Sequence, residues 1–383
     1  MSVGSRTDVD VVVVGRGAVA GAAAWHLARD GREVLLLAHP GTGSCPGAVA
    51  VPLRSGEPEP TVALAAAAAS MWREVEAETG AALLSLADGV DHGDAARTAA
   101  VAEALTTHDI RSTWLAPDEA QHRWPGMVFR GPVLYQPEKT GRVRAGQAAR
   151  ALQAAAVGQG ATVEWNGPVT GVARSGGDHV VISTEDGSVR ARRVVIAAGA
   201  ASARLLPREL STALRTVQEQ IAGFPPLGIN PCIAWENNWP IFVHHTGPAD
   251  GWPVPVYGTP DPCGDVIVAF DAGGQGEVPR LRTLQGYVAE MLPGLDSTAP
   301  VLVESTHTET ADRRPVLSAA GPIIVGAGFA GRGTALAPAL GRVLADMALT
   351  RPRSGPFFAR GARRAEREQS SSSRTPTLGM SSG

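Results

Sequence analysis

Cysteine is scarce, with three in 383 residues (Cys45, Cys232 and Cys263), an odd number set far apart. That pattern excludes a disulfide framework and a closed zinc site and fits a reducing cytoplasm. No apolar run is long enough to span a bilayer; the one at 63–69 is short and meets Arg73 and Glu74. The polar start of the chain leads straight into a β-branched run, so no secretory leader is expected. Strong charge of one sign is missing too, and a formal net charge of −3 gives no case for nucleic-acid binding. No G-x-S-x-G stands between a strand and a helix, its one occurrence being at 379–383 in the serine-rich tail, and there is no H-E-x-x-H pair. His244 and His245 stand without a third ligand at useful spacing, so no metal site is expected. Lysine is rare while alanine, glycine and arginine abound, which reads as genome composition rather than function.

What is present is an ordinary globular balance, 44% hydrophobic and 19% charged, over a length sufficient for two domains. The chain is organised around its opening stretch, 9–39. A run of four valines, Val11 to Val14, lacks alternation and reads as a strand buried on both faces. Gly15, Gly17 and Ala20 follow at the spacing G-x-G-x-x-A. The first glycine permits the sharp turn, the second leaves room for a pyrophosphate, and the small third residue lets the helix pack on the strand. A helix over 18–29 then presents its positive N-terminal end to a diphosphate, and a second strand is expected at 34–37. A ligand-free glycine turn is the alternative; the strand before and the helix after favour a dinucleotide. The acidic residue expected for the ribose at the end of the second strand is missing, its place taken by Ala38 and His39. Either His39 or a backbone group takes over the ribose, or the ribose is held less tightly.

Beyond this unit, the Gly/Pro/Ser-rich connection 40–60 is long enough to be a functional loop. Helices are expected at 61–79, 95–108, 117–123, 145–157 and 279–292, with a break at Gly141. Strands are expected at 162–165, 169–174, 179–184 and 189–196, the last running into Ala197, Ala198 and Gly199. A sheet region follows, with strands at 214–224, 231–235, 240–244, 254–257, 266–270 and 300–308. The stretch 321–347 repeats the opening theme: a strand at 323–325, a turn holding Gly326, Gly328, Gly331 and Gly333, then a helix to Leu349. The tail beyond 350 reads as a solvated end.

Together these pieces resemble the flavin amine oxidases, the family of glycine oxidase, monomeric sarcosine oxidase and D-amino-acid oxidase. The strongest parts are 11–37, 193–207 and 308–347, above all GFAGRGTALAPALGRVLADM from Gly328. The resemblance implies an α/β fold: a Rossmann-like FAD-binding domain of discontinuous segments plus a substrate domain with a mixed or antiparallel sheet. The segments 1–80, 141–213 and 299–350 would form the FAD-binding domain, 81–140 and 214–298 the substrate domain, and 351–383 a flexible tail. It places Gly15, Gly17 and Ala20 at the pyrophosphate, Ser44 and Cys45 in the loop by the isoalloxazine, and Val169 at the adenine. Ala198 and Gly199 neighbour the dinucleotide, and Gly328, Gly331, Arg332, Gly333 and Thr334 form the closing turn, whose N–H groups would face the flavin's O2 side. Departures from the pattern matter as well. Ser305 stands where sarcosine oxidases attach the flavin through a cysteine, which implies non-covalent FAD. Ile267 replaces their oxygen-activating lysine, with Asp271 nearby. Ala335 replaces a substrate-binding lysine, and the carboxylate-binding arginine of glycine oxidases is absent from the strand holding His307.

The reaction implied is oxidation of the C–N bond of an amino acid or N-substituted glycine, a secondary amine such as an N-carboxymethyl amine. Hydride passes to the flavin, O2 is reduced to H2O2, and the imine is hydrolysed. Candidates for the substrate side are Arg54, as a fork for a carboxylate, and Arg332, facing the substrate or stabilising reduced flavin, with His307 and Tyr257 as pocket lining or else a structural histidine and a core tyrosine. Two alternatives stand beside this: a dehydrogenase using a quinone or protein acceptor, and a non-catalytic FAD-binding subunit. The partners expected are a small amine and O2, with no nucleic acid and no membrane.

Overall fold

A computed structural model describes residues 6–39, 50–53, 61–165, 167–176, 178–206, 208–228, 239–247, 250–252, 254–261, 264–271 and 281–350. They form two sheets. The first comprises β1 (Arg6–Val14), β2 (Val34–Leu37), β7 (Thr162–Glu164), β8 (Val169–Ser175), β9 (His179–Thr184), β10 (Gly187–Ile196), β16 (Val316–Ala320) and β17 (Ile323–Ala327). Its order is β16-β17-β10-β1-β2-β7, with the β8–β9 hairpin attached to β10. The strands from β17 to β7 run parallel, and β16 returns antiparallel.

The valine run explains the layering. Val11 and Val13 face one way, with Leu36, Val195 and Ile324, into a core built with the helices Ala18–Arg29, Thr61–Thr79, Ala145–Gly158 and Ala337–Leu349. Val12 and Val14 face the other way, with Leu35, Leu37, Val194 and Ile196, toward Val180 and Ile182 of β9. A strand covered on both faces needs no polar alternation, and none is present. The helix Ala18–Arg29 is alanine-rich for a structural reason. A Cβ on Gly341 of the closing helix would come within 2.6 Å of the Ala22 carbonyl carbon, and one on Gly21 within 3.1 Å of Leu152. Only small side chains let three helices approach this closely, so part of the alanine content ascribed above to genome composition is packing.

The second sheet comprises β3 (Ala50–Leu53), β4 (Leu84–Gly93), β5 (Thr113–Leu115), β6 (Val133–Arg144), β11 (Arg215–Phe224), β12 (Ile241–His245), β13 (Val256–Pro260), β14 (Val266–Phe270) and β15 (Val301–Glu309). The order is β15-β11-β14-β13-β12-β4-β6-β3, with β5 beside β6. All pairs are antiparallel except β12–β4, so the sheet is mixed. One face carries Ala222, Phe224, Phe242, Val256, Val266, Val268 and Phe270 and is covered by the helix Leu281–Met291 and the segment around Trp124, Met127 and Phe129. This sheet draws β3, the end of β6 and β15 from stretches expected in the dinucleotide-binding unit.

The structure corrects several expectations. Gly141 is no break but lies inside β6, paired with Leu53 and Leu86. The strands β3, β4, β5, β6 and β16 went unpredicted. β4 and β6 carry Asp91, His92, Gln136 and Arg142 into the interior, so neither has an apolar alternation. The strand expected at 254–257 is Val256–Pro260. The closing helix starts only at Ala337, after a turn that continues through Leu336. The strand expected at 231–235 lies outside the described residues.

Buried imidazoles couple this fold to pH. His92 is stacked on His244 at 4.4 Å between centroids, and neither of its ring nitrogens has a hydrogen-bond partner among the described residues. Desolvation by burial holds His92 well below the usual histidine range and lowers His244 and His26 to about 4. The unfolded chain therefore binds more protons than the native one below the ordinary histidine pKa, and stability present at neutral pH is lost as pH falls from about 6.5 toward 4. Thermal melts across that window should show a loss on the order of a few kcal/mol, and His92→Phe should make the acid limb shallower.

Candidate active site

The two distant glycine corners share one edge. Val14 pairs with Leu37 and with Ile196, and Ile196 pairs with Val325, so the carboxyl ends of β2, β1, β10 and β17 lie side by side. The turns that follow them are those marked by Gly15 and Gly17, by His39, by Ala198 and Gly199, and by Gly328 to Thr334. A crevice outside the carboxyl ends of parallel strands is where open α/β sheets bind ligands.

Gly15 has φ of +143°, and a Cβ there would overlap the Ala197 carbonyl and lie 3.0 Å from the Ala20 methyl. Its N–H donates to Leu37 O at 3.0 Å, while Ala197 N–H donates to Val14 O at 2.9 Å, so the corners after β1 and β10 are pressed together. Gly17 is different. It is the N-cap of the first helix, no side chain caps that helix, and its first turn has no acid. A Cβ on Gly17 would meet nothing within 4 Å. Open space over an uncapped, acid-free helix N-terminus suits a diphosphate, so the residues present fit the group the motif implies. Gln153, unforeseen in the sequence, braces the turn by donating from Nε2 to Arg16 O at 2.8 Å.

The other expected cofactor residues are distributed around this edge. His39 is exposed just past β2, and Ala38 N–H donates to Glu164 O on the neighbouring β7 at 2.9 Å. Val169 opens β8 after the short connection from β7. Ala198 N–H donates to the buried Ser202 Oγ at 3.0 Å, and Gly199 has φ of +59°. In the late turn Gly328 and Gly331 have φ of +70° and +78°, and Arg332 N–H donates to Phe329 O at 3.0 Å. Ser44, Cys45 and Arg54 lie outside the described residues.

The late turn is also fastened to the second sheet. Phe329 forms an antiparallel bridge with Glu309 of β15, and Ala330 N–H donates to Thr308 O at 3.0 Å. The position a Cβ would take on Gly331 is 3.8 Å from His307 Nδ1. Around His307 the sheet turns toward this corner a face distinct from its main core. Val303, Ile221, Ala269 and Tyr257 form one cross-strand row over β15, β11, β14 and β13, with Ile267 beside them.

Next along that face are ionisable groups that the sequence reading mostly missed. Glu309 is almost fully buried and accepts from Arg215 Nη2 at 2.9 Å and Nε at 3.0 Å, with Arg313 Nε at 3.5 Å. Arg313 Nη1 pairs with Asp271 Oδ1 at 2.8 Å. His307 lies between two acids, its Nε2 3.7 Å from Glu309 and its Nδ1 3.6 Å from Glu219 Oε2. Glu219 accepts a hydrogen bond from the Tyr257 hydroxyl. Burial, reinforced by Asp271, pushes the Glu219 carboxyl up to about 7, and burial pushes His307 down. Thus His307 and Tyr257, both expected at the site, are brought together, with Glu219 between them. The signal for Glu219 was an acid in the alternation Val217, Glu219, Ile221. Ser305 is its partner across β15. Ile267 is packed in the apolar row, and Ala335 is buried with its carbonyl taken by Trp72 Nε1 at 2.8 Å.

A family model described as FAD dependent oxidoreductase matches residues 10–347. Among curated proteins, the monomeric sarcosine oxidase of Streptomyces avermitilis is 28% identical, covering 89% of this chain and 94% of its own. The monomeric sarcosine oxidase of Bacillus sp. strain B-0618 is 26% identical, covering 90% and 93%. Among solved structures, NikD, an unusual amino acid oxidase essential for nikkomycin biosynthesis, superposes with a TM-score of 0.71 at 23% identity, covering 93% and 97%. L-proline dehydrogenase from P. horikoshii gives 0.74 at 18% identity, covering 95% and 99%. At these identities the structural likeness speaks to the fold.

The two glycines predict separable outcomes. Gly17→Val should change the stability of the cofactor-free protein by only about 1 kcal/mol, yet abolish uptake of added FAD, read by flavin fluorescence. Gly15→Ala should destabilise the fold itself by about 1–3 kcal/mol in denaturant melts.

Proposed function

The chain belongs to the FAD-dependent oxidoreductase family, and from that premise we propose that it oxidises the C–N bond of an amino acid or N-substituted glycine, passing the electrons to O2. The observation that carries this reading is the meeting of the late glycine turn with the Tyr257–Glu219–His307 face at Gly331 and His307. One side of that junction is the dinucleotide edge, and the other is an apolar row ending in titratable groups. FAD supplies the hydride acceptor when bound. The protein's part is to hold the amine neutral, orient its C–H and exclude water, and an apolar shelf with few polar groups suits those tasks.

In this reading Gly15, Gly17, Ala20, Ala198 and Gly199 hold the diphosphate side, with Val169 and His39 toward the adenosine. Gly331, Arg332, Gly333 and Thr334 face the ring. Arg332 and Arg54 are the cations for the substrate carboxylate. On the sheet face Arg215 is paired with Glu309, and Arg313 with Asp271 and Glu309. FAD is held non-covalently, since Ser305 offers no thiolate. No helix among the described residues is long and apolar enough to cross a membrane. A second reading, a dehydrogenase passing electrons to a quinone or another protein, is favoured by Ile267 in the apolar row, where an oxygen-activating lysine would stand in sarcosine oxidases.

The test is direct. Yellow, FAD-loaded protein is mixed anaerobically with sarcosine, glycine, L-proline, N-methyl-L-tryptophan and iminodiacetate. Bleaching by at least one, with peroxide formed on readmitting air, is the expected result; bleaching that only an artificial dye reverses selects the dehydrogenase. Acid precipitation should leave all flavin in the supernatant. Arg332→Gln should raise KM for the bleaching amine about 10- to 100-fold, the worth of one charge-assisted contact.

A further inference from the structure

We propose that Glu219 takes the ammonium proton of the incoming substrate and so hands a neutral amine to the oxidation site; this deepens the preceding reading and rests on it. Three observations converge. The first is place. Glu219 sits on β11, one residue pair along from the apolar row, and one side chain, His307, separates it from the glycine turn. The second is its set of partners. The other acids of the face are in ion-pair contact with arginines, Glu309 with two and Asp271 with one, whereas Glu219 has His307 at 3.6 Å and feels Arg313 from further off. Burial disfavours the protonated imidazole of His307, and Arg313 is shared with Asp271 and Glu309, so the charge of Glu219 is only partly offset. An arriving ammonium offsets the rest. The third is poise. Tyr257 from β13 stabilises the carboxylate by hydrogen bonding, while burial, Asp271 beyond β14 and Glu309 from β15 oppose its charge and Arg313 favours it. The balance at about 7 lies where a proton acceptor works best at neutral pH.

The step balances simply. An N–H bond of the substrate ammonium breaks, an O–H bond forms on Glu219, and the two opposite charges vanish together. No electrons leave the substrate, and its nitrogen regains the lone pair that C–N oxidation requires. The substrate class follows: a primary, secondary or tertiary amine entering as its N–H cation, with quaternary ammonium compounds refused as substrates.

The test uses full-length, FAD-loaded protein. In the absence of substrate, difference infrared spectra between about pH 6 and 8 should contain a protonated-carboxyl band that Glu219→Gln removes. The substrate probes are the same five amines, mixed anaerobically at the upper pH in weakly buffered indicator dye. The native enzyme should release no proton to solvent before the flavin bleaches, and Glu219→Gln should release one. Bleaching at limiting amine should rise with pH through about 7 in the native enzyme. That limb should be absent in Glu219→Gln, with a loss of about 100-fold at the upper pH. Glu219→Asp should restore proton retention. Should Glu219→Gln fail to load FAD, Tyr257→Phe serves instead, moving the limb to higher pH by removing a hydrogen bond to the carboxylate. A native enzyme that releases the proton, or a Glu219→Gln protein with an unchanged pH profile, overturns the proposal while leaving the oxidase reading intact. If none of the five amines bleaches the native enzyme, the oxidase reading fails first, visibly, and the proposal falls with it.

Discussion

The junction between the two sheets hangs on a short backbone seam. Phe329 and Ala330, just past the last parallel strand of the first sheet, bond to Glu309 and Thr308 at the end of an edge strand of the second. Ala330 adopts φ of +51° to do so, a conformation that costs an alanine about 1–2 kcal/mol. Strain of this kind persists only where the surroundings enforce it, and here they do. Gly328 is packed so closely that a Cβ would come within 2.9 Å of Leu214, and Phe329 lies under Gly333 at 3.2 Å from the equivalent position. The seam sets where the glycine-turn edge of the first sheet ends and the His307 face of the second begins.

Around that seam the charges are arranged in an uneven way. Glu309, nearly sealed from solvent, is held between Arg215 and Arg313, and Arg313 is shared with Asp271. Such a pairing makes the buried acid tolerable and fixes the arginine side chains, leaving them ill-suited to serve as forks for a ligand carboxylate. Glu219 and His307 are left as the adjustable pair, an acid pushed up and a base pushed down by the same desolvation. Desolvation thus disfavours the charged form of each, and in so buried a place an arriving charge is felt strongly.

Much of this was legible in the sequence, for reasons that differ between the two sheets. β2, the first helix and the helix over 61–79 appear at the expected residues, because continuous apolar strands and alanine-rich helices followed by glycine (Gly31, Gly80) carry their signal locally. So did the convergence of the two glycine corners, since each is a strand-turn-helix that must sit at a carboxyl edge. The second sheet was harder. β4 and β6 hide Asp91, His92, Gln136 and Arg142 where a pattern reader expects apolar residues, and Gly141, read as punctuation, is ordinary strand. Glu219 had the alternation of a strand around it but nothing local to mark it, because its significance comes from Tyr257 and His307, which reach it from β13 and β15. A site assembled across strands leaves only fragments of itself in any one stretch of chain.

The order of the first sheet has a consequence for how the molecule comes together. β1 lies between β2 and β10, and β10 waits in turn for β17, which follows it only after β11 to β15 of the second sheet. The closing helix, later still, packs its Gly341 backbone onto Ala22. The valine-rich strand thus finds β2 close by in the chain, while its other edge waits for β10. Pairing a central strand with partners far along the chain is the kind of non-local contact that forms late and slowly.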